Sequence, residues 1–431
     1  MAVTLTSAEA ALKSVYLGVV ANQLNINANP LLGKIKQSNA NIWGKDIVKL
    51  APYGINGGIG AGTEDGALPT AAGNRYVQFK TTLKNLYGKI EISDKAIRAS
   101  ENNAGAFVNL LNDEMEGLIK ASSFNLSRMI YGDGTGLLAT TTESFASGSY
   151  LTVADTRNLI EGMVVDIFTS DVKNTNVSGY RITFVDRADK KVYFDFPSSL
   201  TLSPALVSGS KLYVQGSKDN EITGLEAIFG LGDLYGLSRT TYPWLNPHHS
   251  SSAVEISDIV LQDAIDALED KAGSEVDFIS CARDVRKAYQ TYLANYKRNI
   301  DVMELAGGFK AITFNGIPVV ADRFIENGTA YLLNTKDFIL HQLCDWQWLE
   351  GEDGRVIKQV AGYPTYNATL VKYADLICDR PIAQAKISNI SSSIASPYAS
   401  IVTAIGGVDS AVDTVATNTA TIATNTTPSE A

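Results

Sequence analysis

The chain has 431 residues, 45% of them apolar and 19% charged, which is ample material for about two or three globular domains. Lys and Arg number 36 against 46 Asp and Glu, a net charge of −10, so a protein gripping nucleic acid over a broad basic face is disfavoured. Three scattered cysteines (Cys281, Cys344, Cys378) exclude a disulfide framework and a paired-cysteine metal knuckle, and point to a reducing cytoplasm. No apolar run approaches the ~20 residues that cross a bilayer, and no basic segment leads into an apolar stretch at the N-terminus. Neither a membrane partner nor a secretory leader is therefore expected.

In chain order, Thr6 and Glu9 form a capping box before Ala11, Leu12, Val15, Tyr16 and Val19, which predicts a helix over 7–24 ended by the Asn-rich turn before Pro30. Residues 46–89 read as a long two-stranded arm. Ile47, Val48 and Leu50 run into Pro52, then into glycines that include Gly58 and Gly60 and the acidic pair Glu64 and Asp65. On the return, Val77, Phe79, Leu83 and Tyr87 alternate with Gln78, Lys80, Thr82 and Lys84, the pattern of a half-buried strand. An isolated hairpin is marginal in water, so this arm is expected to rest on something else.

Residues 104–130 carry the strongest helical period: Phe107, Leu111, Met115, Leu118, Leu126 and Met129, widened by Leu110, Ile119 and Ile130. Such a helix spans ~40 Å and serves as a beam across a domain. Asn103 is its expected cap, and Gly132-Asp133-Gly134 its stop. From 145 to 216 the period changes. Short strands at 150–153, 164–168, 180–186, 191–194 and 211–214 alternate with turn residues and predict a small all-β insertion.

Mixed structure follows from 217 to 386. Ser257 caps a helix bearing Leu261, Ala264, Ile265 and Leu268, closed by Lys271 and Gly273. A strand at 276–280 and a helix with Val285, Tyr289 and Leu293 come next. Asn315-Gly316 predicts a tight hairpin, whose Pro318 places the second strand at an edge or a bulge. Further strands are expected at 330–333 and 368–378. Beyond Lys386 the chain has no Lys or Arg, yet Ile387, Ile390, Ile394, Tyr398, Ile401 and Ile405 keep a three/four spacing. A loose tail and a self-associating stalk both remain open for 387–431.

The search for chemistry comes back empty. The glycines at 54–62 lack the Gly-Lys-Ser/Thr ending of a phosphate loop, and Gly132 to Gly136 read as a helix-ending turn. His248 and His249 are adjacent, with no third ligand to name, and His341 sits in an apolar stretch as a satisfied, partly buried residue. No nucleophile elbow and no activated cysteine appear. Carboxylates such as Asp113, Glu114 and Glu116 read as a solvated helix face, and Trp346 and Trp348 fit a pocket lining or strand packing equally well. No catalytic residue, metal or cofactor is expected.

An arm, a beam helix and an inserted β module without a site resemble, in that order, the major capsid protein of tailed bacteriophages, the α+β HK97-like fold. Residues 47–88 are similar to its extended E-loop, 104–130 to its spine helix and 131–136 to the turn after it. Asn315-Gly316-Ile317-Pro318-Val319-Val320-Ala321-Asp322 resembles a stretch recurrent in its axial domain. The resemblance implies an N-terminal arm (1–45), E-loop (46–89), peripheral domain (90–144), barrel-like insertion (145–216), axial domain with the remaining peripheral strands (217–386) and C-terminal extension (387–431). It implies hexamers and pentamers enclosing double-stranded DNA through non-specific contact, in a virion capsid assembled in the bacterial cytoplasm. The implied partners are the portal protein and, where used, a separate scaffolding protein, a maturation protease and decoration proteins. Subunit contact is expected through Gly58, Gly60, Glu64, Asp65, Val77, Phe79, Lys80, Leu83 and Lys84. The alternatives are an encapsulin-like compartment shell and a ligand-binding protein using the β insertion.

Overall fold

The computed structural model describes residues 29–39, 42, 46–54, 56–100, 110–197, 200–202, 205–296, 302–305, 309–350 and 356–394. The helix expected over 7–24 lies outside these, as do the cap at Asn103 and the tail from 395 on. The Asn29-Pro30 pair itself begins a helix. Asn29 Oδ1 accepts the N–H groups of Leu31 and Leu32, and Pro30 takes the first position of α1 (Pro30–Lys34), where its missing N–H costs nothing.

Strands β1 (Lys36–Ser38), β2 (Asp46–Tyr53), β3 (Arg75–Thr82) and β4 (Lys84–Ser93) follow. β2 and β3 pair from Asp46↔Thr82 to Tyr53↔Arg75 as a two-stranded ribbon. The expected alternation holds through Val77 and Phe79 and then fails, for Leu86 is buried and Tyr87 exposed. At Leu83 the chain leaves β2 and pairs with a different sheet through β4, so the parity restarts. Helix α2 (Asp94–Ser100), not among the expected elements although Ser93 Oγ accepts the Ala96 N–H at its start, leads toward α3 (Leu110–Ile130), 21 residues and about 31 Å long. In the first turns of α3 Leu111, Met115 and Leu118 are only half-buried and Ile119 faces solvent, whereas Phe124, Leu126, Met129 and Ile130 are all buried.

Seven strands come next: β5 (Leu137–Thr140), β6 (Tyr150–Thr152), β7 (Val164–Thr169), β8 (Val172–Lys173), β9 (Tyr180–Asp186), β10 (Lys191–Phe194) and β11 (Lys211–Val214). They run in the order β5-β11-β7-β9-β10-β6. The Thr141–Val153 bridge and the Ala154 N–H donating to the Thr140 carbonyl (2.9 Å) join the two ends into a closed barrel. It has a core of its own, with Leu159, Val165, Ile167, Val177, Val192 and Leu212 fully buried. The barrel starts at β5, before residue 145.

The rest is built from α4 (Leu225–Phe229), β12 (His248–Ser250), β13 (Val254–Glu255), α5 (Asp258–Ala272), β14 (Phe278–Cys281), α6 (Arg283–Tyr296), β15 (Val302–Leu305), β16 (Phe309–Phe314), β17 (Ile317–Ala321), β18 (Ala330–Leu333), β19 (Phe338–Trp348), β20 (Lys358–Gln359), β21 (Thr365–Cys378), β22 (Ala385–Ile387) and β23 (Ile390–Ser391). Ser257 Oγ accepts the Val260 N–H, and Gly273 (φ 55°) closes α5, both as expected. Asn315 (φ 49°) and Gly316 (φ 79°) make the tight turn between β16 and β17. Pro318 corrects the edge-strand expectation: β17 lies inside the sheet β12-β22-β18-β14-β17-β16-β15. The proline is tolerated because it faces Thr313 as a non-hydrogen-bonded pair, and pairing with β14 begins only at Val319. A second sheet joins β1, β19, β20, β21 and β4. Ile387 and Ile390, read as the start of a helical stripe in the extension, are buried in β22 and β23.

Two contacts hold the parts in register. A Cβ on Gly224 would stand 2.3 Å from the Met129 carbonyl oxygen and 2.4 Å from that of Gly132, so the end of α3 packs directly on backbone. Beside it, Arg128 and Glu221 form a fully buried ion pair, with Asn125 Oδ1 accepting from the same guanidinium. Gly224→Ala is expected to cost about 3 kcal/mol, seen as a drop in thermal midpoint and soluble yield. On the sheet of β19 and β21, the buried Lys372 ammonium donates to Asp345 and Gln342, both at 2.6 Å. Burial raises the Asp345 carboxyl, but Lys372 and the Trp346 N–H together bring it below the usual carboxylate range. A lowered carboxyl stabilises the fold above its ordinary pKa and loses that contribution as the pH falls through the lowered value. The midpoint difference between wild type and Lys372→Met should therefore shrink on acidification below about pH 4; thermal melts from pH 3 to 7 read it, and a pH-independent difference would refute the assignment.

Candidate assembly surface

The ribbon of β2 and β3 is seated on the protomer by one face. Ile47, Ala51, Val77 and Phe79 are buried in the main core, Phe79 to 1% exposure. The Phe79 ring lies 5.3 Å from that of Tyr235 and 6.0 Å from Trp244, and Trp244 stacks on Tyr53 at 5.8 Å. Polar fasteners line the same seam. Lys49 Nζ meets the Asp379 carboxylate at 2.6 Å, the Lys80 N–H donates to the Tyr235 carbonyl at 3.0 Å, and the Thr81 hydroxyl donates to Asp375. Asp375 is fully buried and also accepts the N–H groups of Thr223 (2.7 Å) and Leu376 (3.0 Å). Burial pushes its carboxyl above the usual range against the pull of these donors.

The stem is therefore part of the subunit's own body, which corrects the reading of 46–89 as one arm resting elsewhere. Val77 and Phe79, expected at a subunit contact, are spent inside the protomer. Lys80 pairs with Asp46 across the ribbon at 3.0 Å, Lys84 Nζ donates to the Asp219 carbonyl at 3.1 Å, and Leu83 is half-buried. The opposite face of the stem leaves Val48, Leu50 and Tyr76 more than half exposed.

Beyond Tyr53 and before Arg75 the described residues are exposed almost throughout. The apex is a turn in which the Gly66 N–H donates to the Thr63 carbonyl, with Glu64 and Asp65 at its two central positions. Ile59 and Leu68 stand 78% and 91% exposed. Gly58 and Gly60 are needed for close approach: a Cβ would meet Ala72 N at 3.3 Å and Pro69 Cγ at 3.1 Å, so the two legs of the tip run against each other there. The tip thus brings together Gly58, Gly60, Glu64 and Asp65 and separates them from Val77 to Lys84. Sequence reading missed Tyr53 and Trp244, because nothing local links residues so far apart along the chain.

The residues weighed for chemistry are accounted for structurally. His248 Nδ1 lies 3.1 Å from Lys271 Nζ and His249 Nε2 3.0 Å from Ser388 Oγ; burial and a nearby lysine lower both imidazoles. His341 departs from expectation, since neither ring nitrogen has a hydrogen-bond partner among the described residues; burial lowers its pKa and keeps the ring neutral. Asp133 Oδ1 accepts from the Thr135 N–H and hydroxyl, and Gly134 and Gly136 have positive φ, a sharp turn after α3. Burial pushes the Cys281 thiol up to about 12. Among the described residues, no group of three or more His, Cys, Asp or Glu side chains is placed to hold a metal ion.

No family model matches the chain, and no curated protein matches it. Among solved structures, the capsid asymmetric unit of cyanophage A-1(L) aligns over 87% of this chain and 96% of its own, with a TM-score of 0.55 at 13% identity. The capsid of the native GTA particle aligns over 90% and 100% (TM-score 0.49, 10% identity), and the holo-SrpI encapsulin complex of Synechococcus elongatus over 91% and 98% (0.48, 9%). The likeness to the cyanophage subunit spans nearly the whole of both chains. Taken with the anchored ribbon, the long helix and the two sheets, it shows that this chain has the HK97-like fold of phage capsid subunits.

Proposed function

We propose that the chain is the major capsid protein of a tailed bacteriophage, a structural protein that forms hexamers and pentamers and closes into an icosahedral shell around double-stranded DNA. The observation that carries this reading is the pairing of a capsid fold with a tip that its own body leaves exposed, Leu68 above all. Exposed apolar side chains on a projecting loop are spent well only against a partner. The acidic balance of the chain fits a container through which DNA must move during packaging and release. The division into E-loop, peripheral, insertion and axial parts belongs to this proposal, with the barrel as a module able to decorate the shell. Portal, scaffold, protease and decoration proteins are the partners it implies, in a virion assembled in the host cytoplasm.

In this reading Gly58, Gly60, Glu64 and Asp65 make the contact between copies, and the acidic pair docks against basic groups of a neighbour. Negative-stain microscopy of the purified chain should show closed particles or capsomer rings, and DNA within particles from infected cells; closed shells filled with protein cargo instead would favour a compartment. Replacing 57–73 by a short Gly-Ser linker should leave a folded, soluble subunit and abolish closed particles. Glu64→Lys with Asp65→Lys should lower particle yield several-fold, and unchanged yield and shape would remove the acidic pair from the contact. Phe79→Ala acts on the subunit itself: a loss of about 3–5 kcal/mol is expected in the unfolding of unassembled protein.

A further inference from the structure

On the barrel, β6, β10 and β9 lie side by side and bury Leu151, Val192 and Val185 in its core. Strand alternation turns the residues next to these outward. The register then aligns Tyr150, Tyr193 and Phe184 in one row across the three strands, with Tyr193 opposite both of the others. Ring centres stand 5.3 and 5.7 Å apart along the row, and Tyr150 and Phe184 are 41% and 54% exposed. Rings set on the outside of a barrel add nothing to its core, and an exposed row of them is surface kept for a partner.

A second row runs beside the first. Thr152, Lys191 and Asp186 occupy the next outward positions of the same strands, paired in the same register, and present a hydroxyl, an ammonium and a carboxylate. Thr152 Oγ1 donates to Glu143 at 3.0 Å, and Lys191 Nζ donates to Asp189 at 3.0 Å while standing 5.4 Å over the Tyr150 ring. Charges around the rows cancel. Lys191, with Arg187 and Lys190 on the turn between β9 and β10, stands against Glu143, Asp186 and Asp189, and Arg187 is itself held by Glu161 at 3.3 Å. Past the bulge, Arg181 is matched by Asp195, whose Oδ1 accepts the Arg181 N–H at 2.8 Å. No net positive field is left to draw a polyanion.

A ligand for two such rows needs flat apolar faces for the rings and uncharged groups that both donate and accept for the polar row. A pyranose sugar has both. Its C–H groups form an apolar, weakly positive face that meets the negative face of an aromatic ring, and its hydroxyls lie around the rim. We infer that the Tyr150-Tyr193-Phe184 row is a binding site for a neutral, soluble glycan chain, its sugars stacked on the rings and its hydroxyls bonded along Thr152, Lys191 and Asp186. The rings are tilted by 47° and 43° to one another, which suits a chain that twists from unit to unit and not a flat crystalline one. This goes beyond the shell reading and does not depend on it, because the barrel has a core of its own.

The test is calorimetric titration of the full-length protein with maltohexaose, cellohexaose and chitohexaose, and with single-stranded oligothymidylate as a polyanion. At least one hexasaccharide should bind and the oligonucleotide should not. Tyr193→Ala with Phe184→Ala should weaken that binding at least tenfold while moving the thermal midpoint by no more than a few degrees, since both rings lie outside the barrel core. Thr152→Val with Lys191→Met, which keeps the rings, should weaken it several-fold. Val172→Ala, at an exposed apolar position on β8, should leave it unchanged. No binding of any of the three sugars would overturn the inference, as would sugar binding that survives the loss of both rings. Binding of the oligonucleotide alone would make the row a nucleic-acid surface and overturn it too. If the two-ring variant loses particles or rings and the wild type binds no sugar, the row is a contact between copies; the glycan site then falls and the shell reading stands.

Discussion

One buried carboxylate ties the subunit together. Asp375, on the long strand β21, takes the hydroxyl of Thr81 from the ribbon, the N–H of Thr223 from the return out of the barrel, and an N–H of its own strand. Taking a carboxylate out of water is costly, and these donors offset part of that cost only while they are all in place. Ribbon, barrel return and the sheet of β19 and β21 therefore cannot drift independently. Thr223 is followed directly by Gly224 and stands just after Glu221, the partner of Arg128, so the same constraint reaches the end of the long helix.

This arrangement divides the ribbon into two mechanical parts. The stem is fixed by Phe79 in the core and by Lys49 on Asp379, so its direction is set before any partner arrives. A preset direction lowers the ordering cost of association, since only the tip has to adapt. The tip keeps its freedom where glycine is required: at Gly54 with φ 77° and at Gly58 and Gly60, where the legs touch. Rigid root and adjustable end together suit the proposed shell subunit, which would meet neighbours at more than one angle.

The barrel is attached rather than merged. Its core is separate from the main one, and it meets the body through Ile160 and Met163 and through Arg323, which lies 5.0 Å over the Phe124 ring and donates to the Arg157 carbonyl at 3.4 Å. A module with its own core and a small seam can vary in sequence without disturbing the anchoring of the ribbon.

Local order was legible from residues alone. The Ser257 cap and Gly273 stop of α5, the Asn315-Gly316 turn, the end of α3 at Ile130 and five strands of the barrel all follow from short-range chemistry: capping, φ preference and period. The ordered succession of these pieces was enough to indicate the capsid fold. Decisions that depend on distant partners were not legible. Tyr87 points to solvent because β4 changes sheets at Leu83, Pro318 sits inside a sheet because its nitrogen meets no acceptor there, and Ile387 is a strand residue because β18 and β12 flank it. Above all, Val77 and Phe79 belong to the protomer's own core, a fact written in Tyr235, Trp244 and Asp375 more than 150 residues away. Sequence alone determined the caps, the tight turns and most of the helix and strand segments, because those preferences act over a few residues. Which face of each segment is buried, and against what, was decided by tertiary structure, because burial is a property of the neighbours.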